Sequence, residues 1–298
     1  MRVLVIGASG FLGGAVALRL HRAGYAVSAL VRDASRAGPL QKAGLSIRHG
    51  ALDDARQLVR AIADTDAVIN TADSDHAAGV HAVLRAIEGT RKTFIHTSGI
   101  SVVADRAAGS AGGIIIDETT PFAPMPERAA RHAIDLAVRA TATEGCRPMV
   151  ICCPLVYGSP AWTGRESVQL PHLVKDARRR GVANYIGPGL ARWSHTHVDD
   201  IAEAYAAALA KGQPGALYYP ENGEIAWAEL AALIGRVLGI PVRSWTLDAA
   251  VEAWGPRALW TYSSNARTRG VRVRADLGWA PGTDAIEVDI RRLAAQPD

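Results

Sequence analysis

Short apolar runs rich in β-branched residues alternate along the first half of the chain with longer stretches whose apolar positions recur every three or four residues. The runs lie at Val3–Gly7, Ala26–Arg32, Leu45–Gly50, Ala67–Thr71, Lys92–Thr97 and Met149–Cys153. Nearly continuous apolar character over so few residues is that of strands covered on both faces. The intervening stretches, Phe11–Ala23, Ala55–Ala63, Ala77–Glu88 and Ala129–Ala142, carry helical periodicity. Strands separated by helices of that length imply βαβ units. The pattern therefore predicts an α/β fold, a doubly wound parallel sheet of Rossmann type.

After Gly158 the alternation weakens. "GSPAWTGRES" reads as loop, Val168–Arg180 as helix, and "NYIGPGLARW" as a Gly/Pro-rich connection. A helix at Asp200–Ala210, a strand at Ala216–Tyr219 and a helix at Ala226–Leu238 follow. This predicts a dinucleotide-binding domain over 1–158, with 196–220 returning to it. A smaller, partly interleaved substrate-binding region would comprise 159–195 and 221–298. Six of the seven tryptophans (Trp193, Trp227, Trp245, Trp254, Trp260, Trp279) lie in about the C-terminal third. They suggest an aromatic-lined pocket, with ordinary core packing as the plainer alternative.

Candidate chemistry begins at the N-terminus. In "VLVIGASGFLGGAVALRL", Gly7, Gly10 and Gly13 follow a strand and open a helix. Gly7 permits a tight turn, Gly10 lets backbone approach a diphosphate, and Gly13 lets helix and strand pack closely. The N–H groups of Ser9, Phe11 and Leu12, with the positive helix end, would hold the phosphates. In "LVRDASR", Arg32 follows the second strand, and with Ser35 and Arg36 it can pair a ribose 2′-phosphate. Asp33 is the acid an NAD binder would use; reading it as a turn residue favours NADP over NAD.

Composition narrows the function classes. The 298 residues are 49% hydrophobic and 21% charged, as in a soluble globular protein. The net charge of +4 comes with one dense basic run, "ARRR" at 177–180, which suits a helix C-terminus rather than a nucleic-acid surface. No apolar run is long enough for a transmembrane helix, and "MRVLVIGASG" reads as the start of the fold, not a signal peptide. Cys146, Cys152 and Cys153 have neither zinc nor redox spacing, so reduced thiols in the cytoplasm are expected. His195 and His197 lack further ligands at a diagnostic spacing, so no metal is expected; His197 with Asp199 and Asp200 reads instead as a helix start capped by Asp.

The glycine loop, "LVRD", "FIHTSG", "IDETTPFAP", "CPLVYG" and "HTHVDDIAEAY" together resemble the short-chain dehydrogenase/reductase superfamily. The nearest branch is the extended or atypical NAD-dependent epimerase/dehydratase group. The resemblance runs in order through about residues 1–210. It implies adenosine contacts at Asn70, Thr71 and Ala72. The family's Asp after strand three falls at Ala51, with Leu52 beside it, and Pro154, Leu155 and Tyr157 match the segment beside the nicotinamide. Tyr157 is alternatively a buried ring at a strand end. The family's catalytic helix carries Tyr-x-x-x-Lys, in which Tyr exchanges the substrate proton and Lys lowers its pKa and binds the ribose. Here Glu127 stands at the Tyr position and Arg131 at the Lys position. No tyrosine in the chain has Lys or Arg four residues on, so the pair is missing rather than displaced.

Arg131 could still bind a ribose but exchanges no proton, and Glu127 would donate one only if buried. The alternative is a surface i,i+4 pair between them. His132 is a further titrating candidate. The family's catalytic hydroxyl falls near Gly99, with Ser98 the first substitute and Ser101 the second. Three functions fit: an NADP(H)-dependent reductase of a small-molecule carbonyl or imine, a non-redox isomerase, cyclase or dehydratase, and a catalytically silent NADP sensor. The resemblance also implies a homodimer through the helices near 77–90 and 127–143.

Overall fold

In the computed structural model, which describes residues 1–142, 145–159, 163–283 and 286–296, seven parallel strands form the central sheet. They are β1 (Arg2–Ile6), β2 (Ala26–Val31), β3 (Ser46–His49), β4 (Ala67–Asn70), β5 (Thr93–Gly99), β6 (Arg147–Cys153) and β7 (Leu217–Tyr218), in the order β7-β6-β5-β4-β1-β2-β3. The helices used below are α1 (Phe11–Arg22), α2 (Ala37–Lys42), α3 (Ala55–Ala63), α4 (Ala77–Ile87), α5 (Pro126–Ala140), α6 (Gln169–Arg180) and α7 (Val198–Lys211). Pro160–Trp162, within the loop expected over "GSPAWTGRES", lie outside the described residues, as do 284–285 and 297–298 of the expected substrate region.

Period-two alternation sorts each strand's side chains between two cores. Val3, Val5, Ile69, Ile95, Met149 and Ile151 pack with α1, α2 and α7, while Leu4, Ile6, Val68, Phe94, Val150 and Cys152 pack with α3, α4 and α5. Strand order reverses between β1 and β4, so their C-terminal ends open a crevice where doubly wound sheets place ligands. Expected and observed strands differ mostly at their ends. Lys92–Thr97, for example, becomes Thr93–Gly99, because pairing with β6 runs to Gly99↔Cys153. Among the described residues no helix is long and apolar enough to cross a membrane.

The Gly/Pro-rich connection is more ordered than expected. It contains Ala183–Ile186, paired with Val242–Trp245, and leads into Arg192–His197, which pairs with Leu155–Tyr157 and Glu224–Ala226. Glycines at 187 and 189, both at positive φ, turn the chain between them. The expected Asp cap of α7 is also replaced. His197 caps it, its Nδ1 accepting from Asp199 N at 3.2 Å. Asp200 turns inward instead, accepting from Gly282 N and Thr283 N at 3.0 and 3.1 Å.

Buried carboxylates fasten the C-terminal part to the sheet domain in this way at three places. Asp289 accepts from Gly158 N at 3.0 Å. Glu118, in the loop before α5, accepts from Tyr219 N, Val271 N and Arg272 N at 3.3, 3.0 and 3.2 Å. Four of the six tryptophans (Trp193, Trp227, Trp254, Trp279) are buried core residues. Glu118→Ala would strand three amide donors, and a destabilisation of about 1–3 kcal/mol is expected in urea denaturation. Glu118→Gln, which keeps acceptor oxygen, should lose less. Equal midpoints for Glu118→Ala and the parent chain would contradict this fastening.

Candidate cofactor cleft and active site

The end of β1 and the start of α1 touch through glycine. Gly7 has φ +88°, and a Cβ there would stand 2.8–2.9 Å from backbone atoms of Thr71 and Ala72. A Cβ on Gly13 would collide with the Gly7 carbonyl and the Thr71 hydroxyl. Thr71 Oγ1 donates to Ile6 O at 2.8 Å and ties β4's end to β1. Helix α1 starts at Gly10 with no side-chain cap and no acid in its first turn. Its leading N–H groups, those of Phe11 and Leu12 among them, face the crevice as donors for an anion. The residues thus fit a dinucleotide diphosphate.

From there a cleft of about 340 Å³ runs over the C-terminal ends of β1, β2 and β3, lined among others by Gly7, Ser9, Arg32, Arg36, Leu52 and Ala72. Asp33 lies in it too, but its carboxylate accepts from Ser35 N and Oγ at 3.0 and 2.7 Å and sits 3.5 Å from Arg36. The Ser35 bonds hold it below the usual carboxylate range. Its Oδ1 is committed to its own turn and its Oδ2 faces Arg36, while Arg32 is exposed at the strand end. Leu52 also packs beneath α4 at Gly79. Asp53, Asp73 and His76 line the cleft as well, and none was singled out from sequence.

The other end of the crevice is built from β5 and α5. Arg131 reaches over Gly99: its Nε and Nη2 donate to both oxygens of Asp75 at 2.8 and 2.6 Å, and Nη1 donates to Ser101 Oγ at 3.1 Å. Glu127 pairs instead with Arg106. The i,i+4 pair between Glu127 and Arg131, the alternative to a catalytic role, therefore does not form. Each finds a partner from another segment, and a bidentate carboxylate contact satisfies Arg131 better than its own helix neighbour would. Ser101, not Ser98, is the hydroxyl that meets Arg131. Tyr157 is fully buried, its ring edge-on to His195 and His197 at 5.8 and 5.5 Å. Pro154 is buried between β6 and Leu155–Tyr157.

Ser98 points under α5, where it donates to Asp135 Oδ2 at 2.7 Å. Asp135 is 4% exposed. Burial pushes its pKa up to about 7, against the downward pull of the Ser98 bond and Arg131. Its Oδ1 has no hydrogen-bond partner among the described residues and lies 3.8 Å from His96 Nε2. Asn70 orients that imidazole, since its Oδ1 accepts from Ala72 N at 3.2 Å and so its Nδ2 donates to His96 Nδ1 at 3.3 Å. The His96 proton therefore sits on Nε2 and points toward Asp135. Burial, then the charge of Arg131, lowers the His96 pKa to about 4. Beyond Asp135 lies a polar chamber of about 80 Å³ lined by Glu118, His132, Arg139, Cys152 and Tyr219. His132 lies there against the Phe122 ring, centroids 4.8 Å apart and the planes tilted by 55°. Asp135 was missed from sequence, although an acid inside the apolar run "HAIDLAV" was the available signal.

Residues 3–219 match the model of the NAD dependent epimerase/dehydratase family. The chain is 29% identical to an uncharacterized protein of Schizosaccharomyces pombe, over 97% of this chain and 98% of the other. It is 28% identical to a 2-alkyl-3-oxoalkanoate reductase of Stenotrophomonas maltophilia, over 81% and 77% of the two chains. A dTDP-glucose 4,6-dehydratase of Streptomyces venezuelae, solved with NAD, superposes with a TM-score of 0.78 at 22% identity, covering 99% and 96%.

Because burial raises the folded-state pKa of Asp135 above its unfolded value, this group's stabilising contribution is complete below about pH 4. It is lost as pH rises through about 7. Asp135→Asn should therefore be more stable than the parent above pH 7, by roughly a few kcal/mol at most. The advantage should shrink as pH falls from about 7 and vanish below about pH 4. Urea midpoints across pH 4–8 check this, and parallel profiles for the two chains would contradict it.

Proposed function

Since the chain belongs to the NAD dependent epimerase/dehydratase family, we propose that it is an NADP(H)-dependent oxidoreductase that reduces a carbonyl or imine of a small molecule. The observation that carries the cofactor choice is the occupied state of Asp33 beside Arg32 and Arg36. An acid with one oxygen held in its own turn and the other beside Arg36 offers the ribose hydroxyls less, while two guanidinium groups on one cleft suit a 2′-phosphate. The glycine contacts and uncapped α1 would hold the diphosphate.

Bound in this cleft, the nicotinamide would supply hydride. The chain's part is to receive the charge that develops on the substrate. Ser101 Oγ accepts from Arg131, which leaves the serine O–H free to donate to a substrate oxygen. Asp75 holds the guanidinium in place. Arg131 cannot give up a proton, and Glu127 faces away toward Arg106, so this corner stabilises charge rather than exchanging protons. That suits a carbonyl protonated from solvent, or an iminium that needs no proton. The relative named as a 3-oxoalkanoate reductase supports carbonyl reduction.

Arg32→Ala and Arg36→Ala should each weaken NADPH binding roughly tenfold or more, the loss of a charge-assisted hydrogen bond. NADH binding should change little. Fluorescence titration reads both, and equal weakening of the two coenzymes would contradict the 2′-phosphate assignment. Ser101→Ala should lower kcat for reduction by about 10²–10³ with coenzyme affinity kept. Unchanged kcat would remove Ser101 from the site.

A further inference from the structure

We propose that the pocket between the start of α5 and the C-terminal part is a substrate subsite for an uncharged apolar group of aryl size, and that Leu259 and Trp260 set the selectivity for it. The proposal rests on the reductase reading of the neighbouring corner for the place of the reacting carbon. The pocket itself stands on separate observations.

The pocket has a volume of about 130 Å³, and four large apolar side chains line it: Met125, Leu247, Leu259 and Trp260. None of the four is fully buried; Leu259 is exposed and the others are half-buried. Apolar surface left open around one hollow marks a ligand site rather than core. The polar groups there are already satisfied. Arg106 and Glu127, which also line it, pair with each other, and Ser263 Oγ donates to Leu259 O at 3.1 Å. An acid or a nucleotide would therefore gain no free cation among these side chains. Water inside would find few partners, so the hollow favours an apolar occupant. A cavity of about 150 Å³ with aliphatic and aromatic walls holds a benzene ring, and this one is close to that size.

One wall is held in an unusual conformation. Ala108, which lines the pocket, has φ +48°, in the left-handed region that a residue with a Cβ enters rarely. The segments on either side keep it there. Asp105 accepts from Asn265 N and Nδ2 at 2.8 and 3.0 Å. Gly109 N donates to Ser263 O at 2.7 Å, and Gly109 O accepts from Leu190 N and Ala191 N at 2.7 and 3.0 Å. Strained backbone persists only where its surroundings over-determine it, so the hollow keeps its shape without a ligand. Arg128, its guanidinium carbon 5.3 Å over the Trp260 ring, holds the indole by cation–π attraction. A preformed hollow of this kind loses little freedom when an apolar group enters.

Helix α5 links this pocket to the reacting corner. Glu127 lines the one and Arg131 meets Ser101 in the other, a separation of about 6 Å along the helix axis. A reducible carbon beside Ser101 would then carry its apolar group on a spacer of a few bonds. The substrate class that follows is a ketone or imine bearing an uncharged arylalkyl chain. Burying the ring should raise affinity about ten- to a hundredfold.

Calorimetric titration of the full chain with 3-phenylpropanamide and with propanamide tests the subsite without turnover. The ring should raise affinity at least tenfold, and 3-phenylpropanoate should bind no more tightly than its amide. Leu259→Trp, which fills the hollow, should remove the ring's advantage. Leu259→Ala, which widens it, should turn the preference toward 3-(2-naphthyl)propanamide and keeps the test open should Leu259→Trp fail to fold. Equal affinity for the phenyl and ring-free amides, tighter binding of the acid, a ring advantage that survives Leu259→Trp, or an unchanged preference in Leu259→Ala would each overturn the proposal. NADPH consumption with 4-phenyl-2-butanone and 2-butanone separates the subsite from the reductase reading. Ring-selective binding without consumption of either ketone keeps the apolar pocket but removes the reductase and, with it, the substrate role. Consumption of both at equal kcat/KM keeps the reductase and removes the subsite.

Discussion

The approach of α1 to the tip of β1 governs the rest of this structure. Helix and strand meet so closely that Gly13 abuts the Gly7 carbonyl and the Thr71 hydroxyl, and Gly7 abuts the backbone at Thr71 and Ala72. A side chain at either glycine would part β1 from β4 at the place where strand order reverses. The same contact points the uncapped end of α1 into the crevice. A packing constraint and an anion-binding surface are therefore one feature.

From this fixed point, function is divided between two helix starts. The first turn of α1 offers backbone donors and no side chain, as suits a phosphate shared by many nucleotides. The first turns of α5 offer side chains: Glu127, Arg128 and Arg131, each facing a different neighbour. The family's helix uses its corresponding positions for proton exchange. Here the same backbone carries a guanidinium held by Asp75 and Ser101. Further inward lies Asp135, bonded to Ser98 and beside His96; burial raises the Asp135 pKa to about 7.

The sheet and its covering helices were legible because each strand is apolar on both faces and each helix has a one-sided pattern. Both signals are local. The active corner was less so, because its side chains are set by partners distant in sequence. Arg131 is held by Asp75 and Glu127 by Arg106, so helix spacing could offer their mutual pairing only as an alternative. Ser98 and Ser101 sit three residues apart on the same segment. Only the position of α5 decides that Ser101 meets the guanidinium while Ser98 meets a buried acid. The strands around Gly187 and Gly189 were hidden because the turn glycines dominate that stretch. Asp33 was read as a turn residue from "RDAS", and its bonds to Ser35 show where that turn lies.

A structure of the chain solved with NADP⁺ tests the central claim most directly. The account predicts the diphosphate against the N–H groups of Phe11 and Leu12, the 2′-phosphate between Arg32 and Arg36, and nicotinamide C4 facing the Arg131–Ser101 corner. A dinucleotide bound with its ribose hydroxyls on Asp33, or with its nicotinamide turned away from Ser101, would contradict it.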